Sequence, residues 1–265
     1  MDYLRAIACL IVVFGHVYLM GYNGLPEISP WVPSVKSLIF GPDAAQRNVF
    51  TAPLTTLALS TGINVGALGV GIFFLISGFV ILRAVERESS GQFIVRRAFR
   101  IYPVCAVAVG VAAGTTAFYC SVSGTESPHT LKSVLGSVFI LNGFLHGFET
   151  TPVLWSLEVE IFFYILMAAL ARLSNLDFAA ILKASLACMG FTLLVNAPSL
   201  SAWIWPPMLE LLRHLSFATL QITFLFVGSM LYRTATNGVS IRAVMYIVAS
   251  IAVFTATRTV FLVER

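Results

Sequence analysis

Seven runs of this chain are apolar over the length that a bilayer crossing requires, and this decides what it can fold into. They lie near 4–20, 64–82, 101–120, 153–172, 178–196, 213–232 and 242–262. A helix of about 20 mostly apolar residues spans the hydrocarbon core. An eighth stretch, about 134–148, is weaker, since it holds Gly136, Asn142, Gly143 and His146. Only 11% of the 265 residues are charged and 58% are hydrophobic, against about 25% charged in a soluble domain. The expected fold class is all-α, a polytopic transmembrane helical bundle of about seven or eight spans. It forms a single membrane domain over 1–265, with no internal repeat and no soluble domain. The net charge of +4 is not a nucleic-acid signature in such a chain. Its basic residues mostly set orientation, through their excess in cytoplasmic loops.

Arg83, Arg87, Arg96, Arg97 and Arg100 crowd the stretch between the second and third runs, which reads as a cytoplasmic loop. The N-terminus is then cytoplasmic and the first span runs outward. Segment 21–63 faces outward, with Pro26, Pro30, Pro33, Pro42 and Pro53 and few charges, and is read as a partial cover over the bundle. The eighth stretch decides the later topology. A full crossing puts Arg172, Lys183, Arg233 and Arg242 outside, whereas a re-entrant segment near 134–152 puts them inside. The positive-inside tendency favours the re-entrant form. Non-helical backbone at that depth needs protein or water around it, so this segment is a candidate cavity wall. The first run reads as a retained span rather than a cleaved signal peptide, because Tyr18, Leu19, Met20 and Tyr22 leave no small-residue cleavage site. Cys9, Cys105, Cys120 and Cys188 form no CxxC pair or zinc spacing and read as small buried hydrophobes.

Arg5 and His16 share the first span. At about 100° per residue they come within roughly 20° of one face, roughly 16 Å apart along the axis. Such residues inside a span usually face a bundle interior or a wet cavity. Arg5 alone could be a snorkelling anchor, and Asp2, three residues before it, could pair with it. His16 could make a single interhelical hydrogen bond. It could also act as a general base, since burial favours the neutral imidazole that accepts a proton from a hydroxyl.

Three further segments carry candidate chemistry. In Trp155-Ser156-Leu157-Glu158-Val159-Glu160 the two carboxylates point about 200° apart, on opposite faces, so only one can easily face the same interior. Glu158 reads as interfacial, and the deeper Glu160 as the one needing a partner such as His16 or Arg5. In Arg96-Arg97-Ala98-Phe99-Arg100-Ile101-Tyr102-Pro103, Arg97 and Arg100 share a face if the stretch is helical. They could clamp phosphates bidentately or simply orient the chain. The glycines of Gly69 to Phe79 fit close helix approach, not a nucleotide loop, and Ser77 reads as an interhelical hydrogen-bonding residue before a catalytic one. His129 reads as a loop residue. His146 lies near Glu149 and His214 beside Arg213, and no pair has metal-ligand spacing on one helix face.

Taken in order, these segments resemble the acyltransferase family 3 membrane proteins. Asp2-Tyr3-Leu4-Arg5-Ala6-Ile7-Ala8 with His16 is similar to that family's LDGLRAIA…H segment. Gly69 to Phe79 resembles GVxxFFxISGF. Arg96 to Pro103 resembles RRxxRIxPxY, with Cys105 in place of the final tyrosine. Trp155, Ser156, Leu157, Glu160, Phe163 and Tyr164 match WSLxxExxFY. The resemblance covers most of residues 1–170. The family's closing SYxxYLxH-type segment has no counterpart. The chain ends at Arg265 just after a span, so it reads as short of the last two or three helices and of a short leader.

The resemblance implies transfer of an acyl group, most often acetyl, from cytoplasmic acetyl-CoA to a hydroxyl of a bacterial surface or exported glycan, or of another small acceptor. Acetyl-CoA is expected as donor substrate, with no bound cofactor and no metal. The other expected partner is membrane lipid, the expected location the bacterial plasma (inner) membrane. His16 carries over as the catalytic histidine with Glu160 beside it, and Arg5, Arg97 and Arg100 as donor-binding residues. Asp2, Ser77, Trp155 and Tyr164 stand as supporting residues. Glu160 would orient His16 in the manner of a hydrolase triad, or an acyl-histidine would form. The rival readings are a transporter or flippase-like carrier for an acyl or glycan intermediate, an inactive short family member, and a structural membrane subunit. The chain lacks the repeated broken-helix halves of a transporter.

Overall fold

A computed structural model describes residues 7, 10–12, 65–141, 154–197, 204–238 and 245. All regular structure among the described residues is helical, in six elements. These are α1 (Val65–Val85), α2 (Ser90–Ser123), α3 (Leu131–Val138), α4 (Leu154–Leu173), α5 (Phe178–Val195) and α6 (Pro206–Asn237). Four of them, α2, α4, α5 and α6, are long and apolar enough to cross a membrane, and Gly69–Val85 of α1 is a shorter apolar helix. The fold is an all-α helical membrane bundle. The first run, near 4–20, and the last, near 242–262, fall almost wholly outside the described residues.

Local chemistry sets the helix ends. Ser89 caps α2 by accepting from the Gln92 N–H at 3.4 Å, and Gly124 ends it in the left-handed region at φ 68°. Thr130 and Ser133 form a reciprocal capping box on α3. Asp177 accepts from the Ala180 N–H at 2.9 Å at the start of α5, and Pro206 opens α6, where its missing N–H costs nothing. The expected loop from Arg83 to Arg100 is instead a short turn, residues 86–89. Ser89 nucleates the next helix well before the apolar run begins, so Arg96, Arg97 and Arg100 ride on α2. At 34 residues α2 is about 51 Å long, against a hydrocarbon core of about 30 Å. Its first turns therefore project beyond the apolar layer. Pro103 lies inside α2, leaving the Phe99 carbonyl without its usual intrahelical donor.

The chain divides into two compact units, Met1–Ser77 and Gly78–Arg265. In the first, α1 approaches residues 11 and 12 closely at Gly69, where an added Cβ would lie 2.9 Å from the Ile11 side chain. In the second, Gly78 is the tightest crossing, since a Cβ there would lie 1.8 Å from the Leu225 carbonyl oxygen of α6. Ser229 Oγ donates to the Gly78 carbonyl at 3.0 Å, and Phe79 meets Tyr232 edge to face at 5.1 Å. Ser77, just before this crossing, is fully buried.

Contacts within the second unit fix the helix directions. Ser90 Oγ of α2 donates to the Ala168 carbonyl of α4 at 3.2 Å, and Phe93 meets Tyr164 at 5.7 Å, so α2 and α4 are antiparallel. Thr192 and Thr219 share a 2.8 Å hydrogen bond and Asn196 donates to Ser216 Oγ at 2.6 Å, which pairs the end of α5 with the upper part of α6. Arg233, near the other end of α6, pairs with Glu86 at 2.7 Å. It also donates to the Leu176 carbonyl in the α4–α5 turn through Nε at 2.9 Å and through Nη2. The end of α1, the start of α2, the α4–α5 turn and the end of α6 thus share one face, which carries Arg83, Arg87, Arg96, Arg100 and Arg172 exposed.

This arrangement bears on the weak stretch. Both the end of α2 and the start of α4 lie away from the basic face. Between them α3 returns alongside α2: Cys105 Sγ meets the Ser137 carbonyl at 3.7 Å and Tyr102 lies 6.4 Å from Phe139. The rest of the expected re-entrant segment near 134–152, from residue 142, lies outside the described residues. Cys105 and Cys120 are buried and Cys188 half-buried, all as free thiols, while Cys9 lies outside the described residues.

Candidate functional site

The polar residues of the second unit gather along α4. On α2, Phe93, Ile101, Cys105 and Val109 are buried at intervals of four or eight residues. Arg97 occupies the remaining position on that stripe, so the helix turns a guanidinium toward α4. It lies 5.3 Å from the Phe93 ring centroid and 5.9 Å from that of Tyr164. Tyr164 in turn donates its phenolic hydrogen to Glu160 Oε1 at 2.6 Å. A cation on an aromatic face is attracted to the ring's negative quadrupole. Donation of the phenol hydrogen to a carboxylate increases electron density on that ring and strengthens the attraction. Among the described residues Arg97 meets these two rings, and its Nε is buried with no hydrogen-bond partner.

The two arginines of the basic stretch part company. Arg97 is half-buried, whereas Arg100, about 60° further round the helix, is exposed. Arg96 forms an exposed pair with Glu88 at 3.0 Å, an interaction of small worth.

Both carboxylates of α4 are buried, Glu158 at 6% exposure and Glu160 at 5%. The two point to different neighbours, as their spacing predicts, and the burial of Glu158 sets aside its interfacial reading. The roughly 200° between them holds, but α4 packs against α2 on one side and α6 on the other, so opposite faces are both covered. Glu160 serves the α2 side. Glu158 faces α6, where Oε1 lies 2.6 Å from His214 Nε2. Sequence reasoning gave His214 little weight because its partner is 56 positions away. The available signal was the second carboxylate itself: an acid two residues from Glu160 in an apolar helix needs a partner on the opposite neighbour.

Trp155, one turn before Glu158, packs edge to face with Phe217 at 5.5 Å, and Phe163 meets Phe226 at 5.1 Å lower on the same seam. His16, Arg5 and Asp2 lie outside the described residues, as do His146 and Glu149. Arg97, Tyr164 and Glu160 come together on the α2 side of α4, Trp155 packs on its α6 side, and Ser77 lies in the other unit.

A sequence model of the acyltransferase domain matches residues 1–264. The chain belongs to the acyltransferase 3 family. Two curated relatives of this family member come from rhizobia. Nodulation protein 10 of Rhizobium leguminosarum bv. viciae is 27% identical over 198 residues, 65% of this chain and 44% of its own length. Exopolysaccharide production protein ExoZ of Rhizobium meliloti (strain 1021) is 38% identical over 112 residues, 40% of this chain and 34% of its own length. The matched part thus spans less than half of either relative. No solved structure matches the acyltransferase chain.

Proposed function

We propose that the chain is a membrane-embedded acyltransferase that moves an acyl group, acetyl, from acetyl-CoA to a hydroxyl of a glycan or similar small acceptor. The observation that carries this reading is the Arg97–Tyr164–Glu160 arrangement within a member of the acyltransferase 3 family: a half-buried cation stacked on a ring that hydrogen-bonds a buried carboxylate. In this reading the N-terminus is cytoplasmic and the bundle sits in the bacterial inner membrane, so that the exposed arginines attract a polyanionic donor from the cytoplasm. Arg97 and Arg100, with Arg5, would hold donor phosphates. Guanidinium groups suit that task because their donors match phosphate oxygens bidentately.

In this mechanism His16 accepts the proton of the acceptor hydroxyl. The oxygen attacks the thioester carbonyl carbon, the carbon–sulfur bond breaks, and the departing thiolate recovers the proton from the imidazolium. Glu160 stabilises that imidazolium, with Tyr164 fixing its carboxylate and Asp2 orienting Arg5. A positioned base contributes typically 10²–10⁴-fold. The word exopolysaccharide in one relative's name favours a glycan acceptor over other hydroxyls.

Mass spectrometry of cell-surface glycans with and without the gene tests the reading. Loss of one acetyl unit on deletion, restored by the wild-type gene and not by His16→Ala, is the expected result. An unchanged glycan mass profile, or full restoration by His16→Ala, overturns it.

A further inference from the structure

We infer that Phe93 is a positioning residue of the acyl-transfer centre: its ring, with that of Tyr164, holds the Arg97 guanidinium back toward the basic face and apart from Glu160. The inference rests on the acyltransferase reading above and names what keeps its donor-binding cation and its acid separate.

The register of α2 against α4 sets the problem. Ser90 Oγ meets the Ala168 carbonyl at 3.2 Å and Phe93 meets Tyr164 at 5.7 Å, so the two antiparallel helices are matched rung by rung. One turn further from the basic face, the next rung is Arg97 opposite Glu160, each about 6 Å along its helix from the ring before it. Opposite charges facing each other across a helix seam attract strongly where water is scarce. Yet among the described residues no ion pair joins Arg97 and Glu160.

The two rings supply the reason. Long side chains on a helix lean toward its N-terminus, and the N-terminus of α2 lies on the basic face. The Arg97 guanidinium accordingly sits over the Phe93 ring, four residues earlier, at 5.3 Å from its centroid. Phe93 is fully buried and stands at 89° to the Tyr164 ring, so its face is fixed. Tyr164 takes the other side of the cation at 5.9 Å while donating to Glu160 at 2.6 Å, which puts its ring between cation and acid. A direct Arg97–Glu160 pair would commit to each other the guanidinium that a phosphate needs and the carboxylate that an imidazolium needs. Being fully buried, Phe93 acts through Arg97 and not on the substrate.

The test measures acetyl-CoA binding by calorimetry on the full chain in lipid nanodiscs, beside acetyl transfer to the surface polysaccharide isolated from a strain deleted for the gene. Phe93→Leu keeps the position apolar and removes the aromatic face. It should raise the donor Kd about tenfold, the scale of a desolvated cation–π contact. Adding Glu160→Gln removes the competing charge and should return the donor Kd to near the wild-type value. A packing defect would not be repaired in that way. Where Phe93→Leu fails to fold, replacing Phe93 by a trifluorinated phenylalanine keeps the ring's shape, withdraws its π density and should weaken donor binding several-fold. Unchanged donor Kd in a folded variant overturns the proposal. So does a raised Kd that Glu160→Gln does not restore. Donor binding that follows the expected pattern without any transfer upholds the role of Phe93 and sinks the acyltransferase reading. Transfer with donor binding indifferent to Phe93→Leu does the reverse.

Discussion

Tyr164 links the cation and the acid of the candidate site, and its removal is the sharpest residue-scale test. Tyr164→Phe keeps the ring under Arg97 but deletes the 2.6 Å donor to Glu160. A buried acceptor that loses its partner costs about 1–3 kcal/mol, so the thermal unfolding midpoint in detergent should fall measurably. An unchanged midpoint would mean that Glu160 finds another donor. Arg97→Lys should keep the charge and lose the planar stack on Phe93 and Tyr164. The expected readout is a donor KM raised by about tenfold, the equivalent of about 1.4 kcal/mol. A donor KM equal to that of wild type would reassign Arg97 to orientation alone.

At the scale of the helices, Gly78 carries the strictest demand. A Cβ there meets the Leu225 carbonyl oxygen, backbone that has no rotamer by which to yield. Gly78→Ala should cost at least the 1–3 kcal/mol typical of overpacking. Gly110→Ala and Gly114→Ala, with nothing within 4 Å of the new atom, should stay near wild type. Thermal unfolding of the three variants in parallel checks the contrast. Close approach was legible in the sequence as a glycine-rich apolar run, but which glycine bears it was not, because that depends on where α6 crosses. Helix existence was likewise readable: α4 and α5 begin and end within a residue or so of the expected runs. The start of α2 was missed by about ten residues, since hydropathy marks the apolar layer and not the capping serine that begins the helix beneath it. The Arg97 stripe was implicit in four-residue spacing. The His214 pairing was not, because it depends on the tertiary placement of α6 against α4.

For the molecule as a whole, the directions of α2, α4, α5 and α6 predict sidedness. With the native cysteines replaced, Glu126→Cys in the α2–α3 turn should react with impermeant maleimide from the face opposite to that labelling Arg87→Cys. Labelling of both from one side would reject the crossing of α2. Arg233→Ala should loosen the shared face, since it removes the ion pair to Glu86 and both donors to Leu176. Faster proteolysis at residues 174–177 is the expected sign.

The two acids of α4 ride on one stiff rod, two steps apart and looking opposite ways. Substitution can blunt either, but it cannot change the angle between them. A single residue inserted after Val159 would swing Glu158 about 100° relative to Glu160, unseating one partnership while the other stays docked. The helix is thus a key cut on both edges, and its register is as heritable a trait as any side chain it bears.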